Sequence, residues 1–424
     1  MRLAELADRR VAVWGLGREG GAALVALRSR LPALPVTVFC SAEEAAGHIE
    51  SATTWITTAP DAAALSAFDI VIKSPGISAH RPEIVDATRS GTRFTSGTAL
   101  WFSEHPEARV IAVTGTKGKS TVSALIAHLL RALGHRTALA GNIGMPLLEL
   151  LDPPVAPAWW VFELSSFQTR ETATVEVGVV TNVYEDHLDW HGSRERYLAD
   201  KLALAARADR LVVNARQPDV IARIEADAVG SGHALPVMRC FGSDQAWHLR
   251  QGAVFRNDRR VFALAESPLP GEHNAMNLCA ALTAIEAAGE DALAAAPHIA
   301  TFQPLPHRLQ TLGLRDGLTW IDDSIATTPQ ASLEALASVP QRETTTLLIG
   351  GHERGLDWNA FADAIMRAPP HAIVTMGACG PRIAALLQSR GALPFRLEQC
   401  RSLEDTVSTA RAQARPGGSV LLSP

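Results

Sequence analysis

Residues 110–121 read Val-Ile-Ala-Val-Thr-Gly-Thr-Lys-Gly-Lys-Ser-Thr, and this stretch decides the fold of the middle of the chain. Its four leading apolar residues are typical of a buried strand, and a helical pattern follows it. Gly115 and Gly118 allow the turn between them to aim backbone amides at phosphate oxygens. Lys119 can reach the β- and γ-phosphates, and the hydroxyl that follows can bind Mg²⁺. The stretch therefore predicts an ATP-type phosphate loop, shortened because Val113 stands where the standard pattern has glycine.

An earlier glycine turn also follows a strand and opens a helix. Gly15, Gly17 and Gly20 form the G-x-G-x-x-G pattern of dinucleotide-binding folds. NAD would need an acidic residue at the end of the second strand, where the chain has Cys40 and Ser41. The pattern disfavours NAD but is compatible with a nucleotide diphosphate at the helix N-terminus.

The composition excludes several classes of protein. The 424 residues are 47% hydrophobic and 20% charged, which indicates a globular chain of several domains. A net charge of −5 gives no support to nucleic-acid or membrane binding. Five scattered cysteines without a C-x-x-C argue against a disulfide framework and for a reducing compartment, so we expect a cytoplasmic protein. Strands alternating with helices predict α/β domains with parallel sheets.

Lysine is rare in this chain, because only Lys73, Lys117, Lys119 and Lys201 occur among 39 Lys and Arg residues. Each lysine is therefore a candidate for a role that requires a primary amine. The alternative is an arginine-rich composition with four accidental lysines. Lys201 lies on a predicted helix, where a lysine is most often solvated.

Acidic residues end several predicted strands. Glu163 closes an apolar strand, and a carboxylate there is either a metal ligand or a partnered core acid. His187 follows the next strand within an acidic turn, and either a metal ligand or a surface turn fits it. Clusters at several strand ends predict a site built between domains.

Motifs along nearly the whole chain resemble, in the same order, those of the Mur ligase family. They are V-x-G-x-G-x-x-G, S-P-G-I, T-G-T-x-G-K-S-T, G-N-I-G, E-L-S-S-F-Q, N-V-x-E-D-H-x-D, Y-x-x-x-K, H-N-x-x-N, L-P-H-R, W-x-D-D-S and G-G. The resemblance implies a UDP-binding Rossmann-like domain over residues 1–105, a central P-loop ATPase domain over 106–300 and a Rossmann-like glutamate-binding domain over 301–424. It also implies an ATP-dependent ligase that adds glutamate to UDP-N-acetylmuramoyl-L-alanine through an acyl phosphate, in peptidoglycan precursor synthesis.

The resemblance also implies roles for individual residues. The implied ATP-binding residues are Gly115, Thr116, Lys117, Gly118, Lys119, Ser120, Thr121, Asn274, Asn277, Arg308 and Asp323. Two Mg²⁺ ions would be held by Ser120, Thr121, Glu163, His187 and a carbamylated Lys201. The implied catalytic residues are Lys119, Lys201 and His187. Only a primary amine captures CO₂ as a carbamate, so arginine could not replace Lys201.

The two other substrates have their own implied contacts. The UDP-sugar would contact Arg18, Glu19, Cys40, Ser41, Gly76, Asn142, Ser165 and Gln168. Glutamate would contact Ile325, Thr327, Thr328, Arg354 and Ser423. We expect a monomer.

The glutamate motifs depart from the family pattern. Members that add D-glutamate carry a sequence resembling N-D-S-K-A-T-N, whereas this chain has Ile325 in place of the lysine and Thr328 in place of the last asparagine. Arg354 replaces a second lysine, and the sequence stops at Pro424, before the family's last glutamate contacts. We therefore expect L-glutamate as substrate, a downstream epimerase that inverts the product, and a truncated chain; D-glutamate is the alternative.

Other functions fit the sequence less well. A folylpolyglutamate synthase shares the phosphate loop and the lysine but lacks the separate N-terminal domain. A GTPase would need an N-K-x-D-like motif, which this chain lacks. An NAD dehydrogenase is opposed by Cys40 and Ser41, and a non-enzymatic nucleotide-binding module has no use for the helix that carries Lys201.

Overall fold

The computed structural model describes residues 1–46, 52–184, 191, 193–232, 234–269, 271–326, 328–353 and 356–424. The chain divides into two compact units, Met1–Phe302 and Gln303–Pro424. The first unit contains two separate sheets, and the second contains one. The predicted α/β fold with parallel sheets is confirmed, whereas the three-domain division at residues 105 and 300 stays a prediction.

The first sheet is parallel throughout, with the strand order β3-β2-β1-β4-β5. Its strands are Val11–Trp14 (β1), Val36–Phe39 (β2), Thr53–Ile56 (β3), Ile70–Lys73 (β4) and Arg93–Thr95 (β5). The helices of this part are Arg18–Arg30 (α1), Ala42–Ala45 (α2), Ala62–Ser66 (α3), Pro82–Arg89 (α4) and Gly97–Glu104 (α5). The chain runs from β1 to β3 on one side and then crosses to β4 on the other. This reversal opens a crevice beyond the carboxyl ends of β1 and β4, where α/β sheets bind ligands.

The second sheet has nine strands in the order β14-β13-β12-β11-β10-β9-β6-β8-β7. They are Val110–Thr114 (β6), Thr137–Gly141 (β7), Trp159–Glu163 (β8), Val175–Val180 (β9), Ala208–Asn214 (β10), Val237–Phe241 (β11), Trp247–Arg250 (β12), Ala253–Arg256 (β13) and Arg259–Ala263 (β14). The helices are Lys119–Ala132 (α6), Arg194–Leu202 (α7), Pro218–Ser231 (α8), Glu272–Ala287 (α9) and Ala292–Ala295 (α10). Strands β6 to β12 pair in parallel, and the β12–β13 and β13–β14 pairs are antiparallel.

Burial of apolar side chains explains why these strands are central. Every residue of β6 and β8 is buried, as expected for parallel strands covered on both faces. Trp101 of α5 packs edge-on against Trp160 and Phe162 of β8, with ring centroids 4.8 and 4.7 Å apart. These aromatic contacts fix β8, and therefore its last residue, relative to α5.

The sheet of the second unit has the order β15-β16-β20-β17-β18-β19. Its strands are Gln310–Arg315 (β15), Leu318–Asp322 (β16), Thr345–Gly351 (β17), Ala372–Gly377 (β18), Arg396–Gln399 (β19) and Ser419–Leu422 (β20). Its helices are Pro329–Ser338 (α11), Asn359–Arg367 (α12), Gly380–Gln388 (α13) and Leu403–Gln413 (α14). The last strand, β20, lies between β16 and β17 and is parallel to both. Across the described residues, no helix combines the length and apolar character needed to cross a membrane.

Candidate active site

The phosphate loop connects β6 to α6, and residues at the end of β9 support it. The Thr116 amide donates to the Asn182 carbonyl, and the Lys117 amide donates to Asn182 Oδ1, both at 2.8 Å. Thr181 Oγ1 donates to the Lys117 carbonyl at 2.7 Å. The loop backbone is therefore held from outside before any ligand binds. Sequence reasoning missed Thr181 and Asn182, although Asn182 opens the N-V-x-E-D-H motif.

Two positions of the loop require glycine. Gly115 has φ +145°, and a Cβ there would lie 2.0 Å from Thr181 Oγ1. Gly118 has φ +79°, and its Cβ would lie 2.3 Å from Asn277 Oδ1. Asn277 in turn donates through Nδ2 to Asn274 Oδ1 at 3.2 Å. The structure thus brings the first turns of α9 against the loop, as expected if Asn274 and Asn277 serve the same ligand.

The first turn of α6 carries the predicted phosphate and magnesium residues. Lys119 begins this helix, and its Nζ donates to the Thr116 carbonyl at 3.1 Å. Ser120 and Thr121 follow in the same turn. The N-terminus of α6 thus carries these side chains directly after the loop, which suits the binding of an anion with its counter-ion.

Lys201 lies on α7 and is buried, with only 3% of its side chain exposed. Its Nζ donates to the Gly115 carbonyl at 2.8 Å and lies 4.9 Å from the centre of the Tyr197 ring. The Tyr197 hydroxyl is hydrogen-bonded to Thr116 Oγ1 at 2.6 Å. Burial of an amine is costly without such partners. The alternative from pattern alone, a solvated lysine, therefore does not hold at this position, and the amine lies at the phosphate loop.

Glu163 ends β8 and pairs in register with Val113 of β6, directly before the loop. Its side chain is 1% exposed, and Oε1 accepts a hydrogen bond from Asn142 Nδ2 at 2.8 Å. Oε2 is buried and has no hydrogen-bond partner among the described residues. A buried carboxylate oxygen without a partner lowers the stability of the fold unless a cation binds to it. The arrangement fits a Mg²⁺ ligand, because Mg²⁺ prefers oxygen donors. His187, the other predicted ligand, lies outside the described residues.

A polar network surrounds Asp200, the residue before Lys201, with Asp200 and His191 among its buried members. Asp200 Oδ2 is hydrogen-bonded to His191 Nδ1 at 2.7 Å and to His80 Nε2 at 3.2 Å, and Oδ1 accepts from Arg170. His191 Nε2 is hydrogen-bonded to Ser166 Oγ at 2.9 Å. Burial is the main cause that lowers the pKa of His191, which favours a neutral ring. The cluster satisfies its own polar groups, so we assign it a positioning role. His80 and Arg170 are distant from Asp200 in sequence, and among the members of the cluster only Ser166 is a specified position of a quoted motif, E-L-S-S-F-Q.

The crevice of the first sheet contains the predicted uridine-diphosphate residues. Arg18 and Glu19 begin α1 after the glycine turn, and burial raises the pKa of Glu19. Burial likewise raises the pKa of the Cys40 thiol at the end of β2. Ser41 caps α2, where its Oγ accepts from the Glu44 amide at 3.1 Å. Gly76 follows β4, in the turn whose Ser74 Oγ donates to the Gly15 carbonyl at 2.9 Å.

The residues predicted for the muramoyl-alanine end lie near Glu163. Asn142 donates to Glu163, as described above, and is itself exposed. Gln168 is buried, with Oε1 accepting from Ser165 Oγ at 3.0 Å and Nε2 donating to Thr98 Oγ1 at 3.2 Å. Both ends of the Gln168 amide are therefore engaged within the protein. This side chain shapes the turn after β8 whether or not it also meets a ligand.

The second unit contains the remaining predicted residues. Asp323 accepts from Ser423 Oγ and from the Leu309 amide, both at 3.0 Å, and burial raises its pKa. Thr328 caps α11, where its Oγ1 accepts from the Ala331 amide at 3.2 Å. Ile325 is 48% exposed. Arg308 precedes β15 in this unit. Thr327 and Arg354 lie outside the described residues.

Comparison with known proteins gives consistent matches. The Mur ligase middle domain matches residues 113–285, and the Mur ligase glutamate ligase domain matches residues 307–424. A protein of Xanthomonas euvesicatoria pv. vesicatoria named UDP-N-acetylmuramoyl-L-alanine–L-glutamate ligase is 51% identical over 100% of this chain and 92% of its own. A protein of the same name from Xylella fastidiosa (strain 9a5c) is 47% identical, again over 100% of this chain and 92% of its own.

Solved structures agree at the level of the fold. The UDP-N-acetylmuramate–alanine ligase MurC from Thermotoga maritima has a TM-score of 0.60 at 19% identity, covering 98% of this chain and 95% of that chain. Folylpolyglutamate synthase from Mycobacterium tuberculosis, solved with ADP, has a TM-score of 0.59 at 18% identity, covering 77% of this chain and 90% of that chain. Two domain matches across the central and C-terminal regions, together with a full-length relative at 51% identity, show that this chain belongs to the Mur ligase family.

Proposed function

We propose that this chain joins the amino group of glutamate to the carboxylate of UDP-N-acetylmuramoyl-L-alanine, with conversion of ATP to ADP and phosphate. The observation that carries the proposal is the buried Lys201 amine, 2.8 Å from the Gly115 carbonyl. A phosphate loop does not need a buried amine beneath its first glycine in order to fold. The names of the relatives at 51% and 47% identity support the same reaction.

The reaction has two group-transfer steps. An oxygen of the alanine carboxylate attacks the γ-phosphorus of ATP, and the bond from that phosphorus to the bridging oxygen of ADP breaks. The unprotonated amine of glutamate then attacks the acyl carbon, the bond to the phosphate oxygen breaks, and the nitrogen loses a proton to solvent. Amides of the phosphate loop and Lys119 stabilise the negative charge that builds up on the phosphoryl oxygens.

The predicted metal ligands fit this chemistry. Glu163, His187 and a hydroxyl of Ser120 or Thr121 would hold two Mg²⁺ ions together with a carbamylated Lys201. Bound Mg²⁺ supplies charge neutralisation for the phosphates. The carbamate forms when the unprotonated Lys201 amine adds to the carbon of CO₂ and releases a proton. Its support is the buried position of this amine at the loop.

The UDP-sugar is proposed to bind along the crevice of the first sheet. The N-terminus of α1 after Gly17 would meet the diphosphate, because backbone amides there lack intrahelical partners. Asn142 and Ser165 lie near Glu163, where the alanine carboxylate has to be activated. The crevice and the phosphate loop belong to the same compact unit.

For the amino acid we propose L-glutamate, with the chain acting as a cytoplasmic monomer. Support comes from the names of the relatives and from Ile325, which stands where D-glutamate-adding members carry lysine. The five free cysteines suit a reducing compartment. Incorporation of the L-isomer would require an epimerase acting on the product.

Phosphate release tests the proposal. Release should require ATP, Mg²⁺, UDP-N-acetylmuramoyl-L-alanine and glutamate together, and the product mass should contain one added glutamate. Parallel reactions with each enantiomer should favour L-glutamate, and equal or D-preferring turnover would contradict the stereochemical part. Lys201→Arg keeps the positive charge but cannot form a carbamate, so it should be inactive; full activity of this variant would refute the role of Lys201.

A further inference from the structure

A hollow lies at the carboxyl edge of the sheet of the second unit. Its lining comes from the segments that follow β16, β17, β18 and β20. The lining residues on which the argument depends are Ser324, Gly351, Glu353, Arg382 and Pro424. Ligands of parallel sheets bind at this edge, because loops and helix N-termini converge there. Ile325, predicted to contact glutamate, is next in sequence to Ser324, and Ser423 is next to Pro424.

Arg382 is the one guanidinium among the described residues that line the hollow. It lies in the first turn of α13, and an ion pair fixes its plane. Its Nε and Nη2 donate to the two carboxylate oxygens of Glu353 at 2.9 and 2.8 Å. Its Nη1 donates to the Leu356 carbonyl at 3.1 Å. A guanidinium carries five N–H groups, so two donors stay available with respect to the described residues.

We propose that Arg382 binds a carboxylate of the amino-acid substrate in this hollow. This inference rests on the proposed function, since it concerns the same substrate. Glutamate has two carboxylates and one amine, and the amine has to be unprotonated and unblocked by an acidic side chain in order to attack. Each carboxylate therefore needs a donor group of the protein. A guanidinium held flat by Glu353 is pre-organised to offer its remaining N–H groups to a second carboxylate.

Substitutions of Arg382 and Glu353 should affect glutamate binding differently, although the two residues form one ion pair. Glu353 orients Arg382, but its negative charge also repels an incoming carboxylate. Removal of the arginine charge should weaken glutamate binding. Neutralisation of Glu353 should leave glutamate binding unchanged or strengthen it. An ion pair that only braces the loop after β17 predicts that both substitutions have the same effect.

Steady-state kinetics with each substrate varied in turn test the inference. Arg382→Gln should raise the KM for glutamate about ten- to hundredfold, the range for loss of a charged hydrogen bond, with the KM for ATP and for the UDP-sugar unchanged. Glu353→Gln should leave the KM for glutamate unchanged or lower it. Arg382→Lys, which keeps the charge without the fork, should give an intermediate KM.

Arg390 supplies a matched control on the same unit. It lies just after α13, does not line the hollow, and pairs with Asp363 at 2.9 Å. Arg390→Gln should leave every KM unchanged. If the wild type releases phosphate normally and Arg382→Gln keeps the wild-type KM for glutamate, Arg382 has no role in binding. The same conclusion follows if Arg382→Gln and Glu353→Gln raise that KM equally. If the wild type shows no glutamate-dependent release at all, the proposed function itself fails.

Discussion

The carboxyl edges of two sheets in this molecule differ in how far they are organised in advance. At the edge of the nine-stranded sheet, Lys201 and Glu163 are both buried. Lys201 contacts the phosphate loop, and Glu163 ends β8, the strand next to β6. At the edge of the second unit's sheet, Ile325 is exposed, and the half-exposed Arg382 is held by an ion pair with Glu353 and a hydrogen bond to the Leu356 carbonyl. We infer that the nucleotide edge is rigid before ligands arrive, whereas a few exposed groups set the choice of amino acid.

The largest effect should come from Gly115→Ala. Its Cβ would lie 2.0 Å from Thr181 Oγ1 and 3.0 Å from the Asn182 carbonyl, so the loop has to move. A displacement of about 1 Å at a reacting centre costs roughly hundredfold in rate. We expect at least that loss in kcat/KM for ATP, measured by phosphate release.

Gly134→Ala separates this clash from backbone strain. Gly134 also has positive φ, +91°, but its Cβ would meet nothing within 4 Å. The Gly134→Ala substitution should lower the unfolding free energy by about 1–2 kcal/mol, because alanine disfavours the left-handed backbone. It should leave the KM for ATP unchanged. Equal losses of activity in the two variants would contradict a pre-organised loop.

Glu163→Gln should give the next largest effect, with stability and activity changing in opposite directions. The amide keeps the size of the side chain but removes the charge from Oε2, which is buried and lacks a partner among the described residues. If this oxygen binds Mg²⁺, we expect a loss of about ten- to hundredfold in activity and a higher Mg²⁺ requirement. The melting temperature without metal should stay the same or rise, because an uncompensated buried charge is removed.

Glu176→Gln is the matched control for that variant. Glu176 lies on β9 and pairs with Arg109 at 2.8 Å near the surface. Its neutralisation should cost at most about 1 kcal/mol of stability and leave the Mg²⁺ dependence unchanged. A Glu163→Gln protein that loses stability and keeps its activity would indicate a structural acid instead of a metal ligand.

A smaller effect on catalysis is expected from Asp200→Asn, which tests whether the buried network only positions Lys201. The substitution weakens the ion pair with Arg170 and the hydrogen bonds to His191 and His80 at once. Leaving buried hydrogen-bonding groups without a proper partner costs about 1–3 kcal/mol of unfolding free energy, so chemical denaturation should show a loss in that range. The kcat should fall more than any KM, because no substrate contact is removed. Unchanged stability would contradict the burial of this network.

Local chemistry explains which parts of this molecule could be predicted from the sequence. The phosphate loop was predictable because strand, glycine turn and helix are contiguous, and Gly115 and Gly118 are required by the backbone itself. The Asp200 network was not, since His80 and Asp200 are distant in sequence and meet only in the tertiary fold. Lys73 had no firm role in the sequence, and the structure buries it 3.5 Å from Glu171 Oε1. The central position of β20 likewise depends on long-range pairing.

The smallest effect should come from Ile325→Lys, and it addresses the exposed edge directly. Because Ile325 projects into solvent, the substitution should change the unfolding free energy by no more than about 0.5 kcal/mol. A cation at this position restores the residue of D-glutamate-adding members, so we expect the kcat/KM ratio of D- over L-glutamate to rise by up to about fivefold, the range for an exposed charge contact. Leu314→Lys adds the same charge to the exposed strand β15 and should leave the ratio unchanged. If both lysines shift the ratio alike, general electrostatic attraction explains the effect. If neither lysine shifts the ratio, the choice of isomer depends on other groups of this edge. The inference that the exposed Ile325 helps to set the choice of amino acid would then be wrong.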